Sequence, residues 1–157
     1  MEALLTSLPV PIVVAVVTAL VASLLSSQRA RNDRLAALRL DTYRDLALVG
    51  RRWEAAFDHA AAAQQAEQDI TVELEAWRAA DNELREHMRL LPLVARKRAV
   101  DRIEEDFENL RETVKGMEKG RAEADFEGWS GTVRDRMRAL VDGAVEEGRR
   151  EVRRTRA

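Results

Sequence analysis

Two histidines, His59 and His87, are the side chains best suited to metal binding or proton transfer at neutral pH. A di-iron site in a helical bundle needs the motif Glu-x-x-His twice, with each carboxylate three residues before its histidine. Alanine stands three residues before His59 and leucine three residues before His87, so neither copy of the motif is present. We therefore interpret both histidines as residues of the surface or of its boundary with the core.

Carboxylates are dense in one segment of the second half of the chain: Asp101, Glu104, Glu105, Asp106, Glu108 and Glu112. Carboxylates four residues apart share a helix face, where they could ligate a divalent cation or pair with basic groups of another helix. The simpler interpretation is a solvated helix face beside an apolar seam.

Motifs of known enzyme classes are missing from the sequence. It contains no cysteine, no glycine-rich phosphate loop and neither of the hydrolase motifs G-x-S-x-G and H-E-x-x-H. Thiolate chemistry, disulfides and Cys-ligated metal sites are thereby excluded. We predict no catalytic, cofactor-binding or metal-binding residues, and no enzyme activity.

Arginines are concentrated near the C-terminal end of the sequence: Arg149, Arg150, Arg153, Arg154 and Arg156. Guanidinium groups bind the phosphates of lipid headgroups or of nucleic acid. Lipid is the nearer source if the chain is tethered to a membrane, and nucleic acid is the less favoured partner. A solvated charged end is the default interpretation, both here and for the small basic cluster at 96–98, and we expect the tail Arg149–Ala157 to fray.

The rest of the chain, with the groups named above, follows the uncharged stretch Leu4–Leu25. A helix over it would cross a hydrocarbon core of roughly 30 Å. Only three residues, none of them basic, precede the stretch, so a retained anchor is favoured over a cleaved signal peptide. A buried core helix is the other alternative, but the stretch has no polar face. The predicted span includes Leu4, Leu8, Val13, Val17, Val21 and Leu25.

The charges after this stretch predict its orientation. Arg29, Arg31 and Arg34 follow it, against a single Asp33, and basic flanks stay on the cytoplasmic side of a membrane. We expect the N-terminus outside and residues 28–157 in the cytoplasm. A row of small residues, Ala15, Ala19 and Ser23, could form a helix–helix contact in the membrane, or it reflects only how common alanine is here.

Four further segments have apolar residues at a period near 3.6, which predicts helices. The first extends from Gln28 to Glu67, and the second begins near Asp69 or Thr71 and reaches Leu91. Pro92 then predicts a chain reversal that opens the third helix, with a kink in one long helix as the alternative. The fourth spans about Asp125–Glu151. The third has the most regular seam, with steps of three and four: Val100, Ile103, Phe107, Leu110, Val114 and Met117.

Composition supports a helical fold. Of the 157 residues, 34% are charged and only 4% aromatic, and glycine and proline are scarce, which disfavours sheets and favours helix bundles. The net charge of −2 points to no class of partner. Trp53, Trp77 and Trp129 each lie on an apolar stripe, so we expect them in the core, with exposed partner anchors as the alternative.

We therefore predict an all-α fold, in which an N-terminal transmembrane helix is followed by an up-down three- or four-helix bundle. The expected organisation is an anchor at 1–27, the bundle at 28–148 and a basic tail at 149–157.

The order of these features resembles small single-pass membrane proteins of actinobacteria and their phages. The resemblance covers roughly residues 10–115 and consists of the span, the basic run after it, Tyr43, Trp53 and the reversal at Leu90–Pro92. It supports the anchor and the bundle and implies no activity, cofactor or site residue.

The function expected from these features is a membrane-anchored cytoplasmic interaction or scaffold protein. Its partners would be membrane lipid and a protein, or further copies of itself. In a phage or prophage it would serve defence or exclusion. Two alternatives remain: an envelope-spanning rod like the spanins of phage lysis, and a tethered nucleic-acid binder that uses the Arg-rich tail.

Overall fold

The computed structural model describes the backbone of residues 10–118 and 125–155, and the side chains of residues 18–115 and 125–155. Four α-helices occupy this part of the chain, which contains no strand: α1 (Val10–Gln65), α2 (Thr71–Val94), α3 (Lys97–Glu118) and α4 (Phe126–Thr155). The predicted all-α class is confirmed. The chain divides into two compact units, Met1–Ala37 and Leu38–Ala157, with α1 contributing to both.

In the first unit, every side chain described from Thr18 to Leu35 is exposed. The exposed residues include large apolar ones, whose accessible fractions range from 44% at Leu35 to 63% at Leu24. Within the residues whose side chains are described, no helix has both the length and the apolarity needed to cross a membrane.

The predicted span falls largely beyond those side chains. Leu4 and Leu8 lie outside the described residues, and Val13 and Val17 belong to α1 but lack described side chains. The N-terminal transmembrane helix therefore stays a prediction, as does the contact row, of which Ala15 is likewise without a described side chain.

In the second unit, the last part of α1 runs antiparallel to both α2 and α4. Its ion pairs with α4 progress in opposite directions along the two helices: Arg39–Glu151, Glu54–Arg138 and Asp58–Arg134. Its contacts with α2 do the same: Arg39–Val94, Arg52–Glu83 and Phe57–Trp77. α3 packs mainly against α4 and less against α2, which completes a four-helix bundle.

The core consists of the predicted stripes. On α3, the seam residues Val100, Ile103, Phe107 and Leu110 are buried within the single chain, as are their counterparts on α4, Val133, Met137, Leu140 and Ala144. Each stripe covers one face of an otherwise charged helix, so no helix is stable without the others. The α3 seam therefore packs within one chain.

The reversal after α2 lies beyond the predicted position. Pro92 occupies the last turn of α2, which continues to Val94, and Ala95 closes it by donating its N–H to the Leu91 carbonyl. α3 begins at Lys97. The expectation that Pro92 opens the third helix is wrong. At this position proline lacks the N–H that would bond to the Met88 carbonyl, but α2 ends two residues later, and the burial of Leu91 and the hydrogen bond from Arg39 to Val94 stabilise its last turn. At its other end, α2 is preceded by Asp69, whose carboxylate accepts hydrogen bonds from the N–H and hydroxyl of Thr71.

The C-terminal segment also differs from the prediction. α4 continues to Thr155, and Glu151 within it is buried. The expected frayed tail from Arg149 is wrong, since the last two turns of α4 belong to the bundle. Arg156 lies outside the described residues.

At Gly50, α1 lies close to α4, and this residue provides a test of the packing. A Cβ at Gly50 would lie 2.6 Å from Cγ2 of Val141, a β-branched residue held in one rotamer by its helix. We predict that Gly50→Ala lowers the free energy of unfolding by about 1–3 kcal/mol through overpacking, as measured by urea denaturation.

Gly131→Ala on α4 is the matched control. No atom lies within 4 Å of a Cβ added there, so this change should be neutral or stabilise by up to about 1 kcal/mol through helix propensity. Equal effects of the two substitutions would contradict the close crossing of α1 and α4.

Candidate functional site

Glu151 is a buried carboxylate at which three segments of the bundle meet. Its side chain is 2% exposed and accepts hydrogen bonds from Arg39 of α1 and Arg96 of the α2–α3 turn. The distances are 3.2 Å from Arg39 Nη1 to Oε1 and 3.1 Å from Arg96 Nε to Oε2. One carboxylate on α4 thus connects α1 with the turn between α2 and α3.

Neighbouring groups complete this arrangement. Arg39 also donates from Nε to the Val94 carbonyl at 3.0 Å, satisfying an acceptor at the C-terminal end of α2. Tyr43 is 1% exposed, and its phenol is hydrogen-bonded to the Arg96 backbone. Burial raises the pKa of Tyr43 above its ordinary 10.0, and this outweighs the hydrogen bond from Arg96, so the phenol stays neutral at physiological pH.

The arginines determine the ionisation of Glu151. Burial alone raises the pKa of a carboxyl, but the hydrogen bonds and charges of Arg96 and Arg39 outweigh it and hold the pKa of Glu151 below its ordinary 4.5. The same hydrogen bond raises the pKa of Arg96. Glu151 is therefore ionised in the folded protein at neutral pH.

A second buried carboxylate lies one turn earlier on α4. Glu147 is 5% exposed and pairs with Arg102 of α3 and with Arg150, whose Nη1 lies 2.7 Å from its Oε1. Together, Glu147 and Glu151 join α4 to α1, to α3 and to the turn between α2 and α3. We refer to these two carboxylates and their arginine partners as the carboxylate clamp.

The clamp changes the interpretation of the predicted phosphate-binding arginines. Arg150 and Arg154 pair with Glu147 and Glu151, and Arg153 pairs with Glu146. Arg149 differs from them, because it is exposed and has no ion-pair partner within the described residues. Among the described members of this run, Arg150, Arg153 and Arg154 are therefore paired within α4, and Arg149 remains unpaired.

Beside the clamp, an apolar groove of about 450 Å³ lies between α1 and α4. The groove is lined by residues of one face of α1 and one face of α4: Leu40, Tyr43, Arg44, Ala47, Leu48, Arg51, Ala144, Val145, Gly148, Arg149 and Val152. Leu40 and Leu48 are 38% and 47% exposed, respectively. The apolar lining is therefore open to solvent, which is the usual property of a docking surface.

The other end of the bundle is closed by aromatic rings. Trp53 stacks on Phe57 at 5.4 Å, and Trp77 and Trp129 each meet Phe57 edge-on at 5.6 Å. Trp53 donates to Asp81 Oδ1 at 3.1 Å, and Trp129 donates to the Thr113 carbonyl at 2.9 Å. The three tryptophans therefore pack in the core or against it, as the apolar stripes predict.

The remaining predicted groups do not converge on a site. His59 is exposed, and His87 has its Nδ1 3.0 Å from the Glu83 carbonyl of its own helix. In the part of the chain that the structure describes, no three His, Asp or Glu side chains are grouped as metal ligands would be. Asp106 is the half-buried member of the α3 carboxylates; burial raises its pKa, and it faces Gly143 of α4. Arg29, Arg31 and Arg34 are exposed on α1.

No protein-family model, no curated protein and no solved structure matches this sequence. The resemblance to small single-pass membrane proteins rests on the sequence features alone.

The clamp could have been recognised in the sequence. Glu147 and Glu151 continue the apolar stripe of α4 after Leu140 and Ala144, again in steps of three and four. A carboxylate at such a position faces the core, where it needs a cationic partner. The groove left no comparable signal, because it depends on how α1 and α4 pack.

Substituting Glu151 tests the clamp. We predict that Glu151→Gln lowers the free energy of unfolding by about 2 kcal/mol at pH 7, since the charge-assisted hydrogen bonds from Arg39, Arg96 and Arg154 are weakened while Arg96, about half exposed, is partly screened by water. Glu75→Gln is the control, because Glu75 is exposed and has no ion pair within the described residues. It should change the denaturation midpoint little.

The loss of stability caused by Glu151→Gln should depend on pH. A carboxyl whose pKa is lower in the folded protein contributes stability above its unfolded pKa and loses it as the pH falls. The difference between wild type and Glu151→Gln should therefore be constant from pH 6 to 8 and shrink below about pH 4.5. A difference that stays the same down to pH 3 would contradict the ionised clamp.

Proposed function

We propose that this protein is a membrane-anchored helical module that binds a partner protein on the cytoplasmic side. The proposal rests on one observation, the presence of two separate apolar surfaces. One is the apolar part of α1 before Gln28, and the other is the groove between α1 and α4. The proposal assigns no catalytic role to any residue.

The anchor is supported by the exposure of large apolar side chains. Leu20, Val21, Leu24 and Leu25 are each about half exposed or more, at successive positions around α1. Water-soluble surfaces rarely expose so many large apolar groups together, whereas a lipid bilayer solvates them. The uncharged sequence before Thr18 has the same character.

The orientation is supported by the basic residues that follow. Arg29, Arg31 and Arg34 are exposed, and they have no ion-pair partners within the described residues. Translocating three unpaired guanidinium groups would be unfavourable, so the bundle is proposed to lie in the cytoplasm. Arg39, the next arginine, is part of the carboxylate clamp and contributes to the bundle.

The structure gives less support to the two alternative functions. A nucleic-acid binder using the C-terminal arginines would need them free, but Arg150 and Arg154 pair with buried carboxylates. For an envelope-spanning rod, an extended helix is the natural form, whereas the second unit is a bundle of antiparallel helices.

Topology is the test of the proposal. The sequence contains no cysteine, so Ala157→Cys introduces a single thiol for a membrane-impermeant maleimide. We expect the chain to sediment with membranes after a high-salt wash, and its thiol to be protected in intact cells and labelled after lysis.

The control is a second variant, Glu2→Cys, which should be labelled in intact cells if the N-terminus lies outside. Labelling of Ala157→Cys in intact cells would favour the envelope rod. A chain that remains in the supernatant without detergent would contradict the anchor itself.

A further inference from the structure

We infer that the groove between α1 and α4 binds an acidic amphipathic helix of the partner protein. The inference rests on the proposed function, in that it specifies the chemistry of the partner. Three properties of the groove support the inference: the small size of most of its buried residues, its length, and the distribution of its charges.

Most of the buried residues of the groove are small. Ala47, Ala144 and Gly148 are buried there beside Tyr43, and the larger Leu40 and Leu48 stand partly exposed next to them. Small residues let the backbone of another helix approach closely, and flanking leucines provide apolar contact for its side chains. This profile suits an inserted helix, since a flat protein surface would contact the leucines alone.

The length of the groove corresponds to about three helical turns. The α1 residues that line it extend from Leu40 to Arg51, which at about 1.5 Å per residue is roughly 16 Å. The α4 residues extend from Ala144 to Val152 alongside them. A helix in this groove would place its apolar residues at i, i+3 or i+4, and i+7.

The charged residues that line the groove are basic on both of its sides. Arg44 and Arg51 lie on the α1 side, and Arg149 lies on the α4 side. All three are exposed and have no ion-pair partner within the described residues, whereas the neighbouring Arg39, Arg150 and Arg154 are paired. Cationic side chains along an apolar groove select a ligand with carboxylates on both flanks of its apolar stripe.

The spacing of the arginines favours a helix over a phospholipid. Arg44 and Arg51 are seven residues apart on one helix face, which separates them by about 10 Å. Acidic residues at i and i+7 of a bound helix would match this spacing. A phospholipid carries its phosphate at one end only, and would leave one of the two arginines beside an acyl chain.

A second copy of this chain is a poorer occupant. Packing groove against groove would bring the unpaired arginines of both copies together, which is electrostatically unfavourable. The apolar stripes of α2, α3 and α4 are already used in the core. Within the described residues of the bundle, these stripes are therefore not free to enter the groove of another copy.

Two synthetic peptides can test this inference with the full chain in a non-ionic detergent. Both are helical, of about 20 residues to keep the helix stable, with leucine at heptad positions a and d. One has glutamate at e and g and the other has lysine. Fluorescence anisotropy of the labelled peptides measures binding, with protein-free micelles as the baseline.

We expect the glutamate peptide to bind about tenfold more tightly than the lysine peptide or better. The double substitution Arg44→Glu with Arg51→Glu should weaken binding of the glutamate peptide by about tenfold or more and strengthen binding of the lysine peptide. Arg78→Glu is the matched control: Arg78 is exposed on α2, outside the groove and without an ion pair in the described part of the chain, and the change should leave both affinities unaltered.

Equal affinities of the two peptides, or no response to the double substitution, would overturn the inference. Displacement of the glutamate peptide by short-chain phosphatidylglycerol, but not by phosphatidylcholine, would overturn it in favour of lipid. Because the measurement is made in detergent, it does not depend on the anchor. Failure of the anchor would appear instead as a chain that does not sediment with membranes.

Discussion

The fold of the bundle depends on the placement of one charge, the carboxylate of Glu151. A buried carboxylate without partners would cost several kcal/mol, and here Arg39 and Arg96 provide the partners from opposite sides. These pairs form only when α1, α4 and the α2–α3 turn reach the same point. We regard the clamp as a device that selects the alignment of the helices, since apolar stripes alone tolerate sliding by a turn.

The clamp has a consequence for the surface beside it. It orders the last turns of α4, and so holds Gly148, Arg149 and Val152 against α1 to form one wall of the groove. It also engages Arg150 and Arg154. The basic run at the C-terminal end is thus divided by helix geometry: the arginines that reach the buried glutamates stabilise the bundle, and Arg149 faces the groove.

Much of the fold could be predicted from the sequence because it depends on helical periodicity. The stripes through Trp53, Leu84, Ile103 and Met137 predicted which faces are buried, and these residues do lie in the core. The position of the reversal near Pro92 could not be predicted, because proline favours the first turn of a helix, whereas the last turn of α2 is stabilised by contacts distant in sequence, such as the hydrogen bond from Arg39 to the Val94 carbonyl.

The candidate site was harder to predict, for reasons that differ between its two parts. The buried glutamates lie in a segment so rich in charge that a solvated helix was the natural interpretation, even though their spacing continues the stripe. The groove depends on the pairing of α1 with α4, which are far apart in the sequence, and periodicity within a helix carries no information about that pairing.

The pairing of α1 with α4 within one chain is the central claim, and a disulfide tests it most directly. A Cβ at Gly50 would lie 4.0 Å from Cβ of Val141, within the roughly 3.5–4.5 Å range of disulfides. In the cysteine-free chain, Gly50→Cys with Val141→Cys should form an intrachain bond on mild oxidation, with the protein monomeric on a non-reducing gel. Gly131→Cys with Val141→Cys should form none. Crosslinked dimers, or no bond in the first pair, would contradict the account.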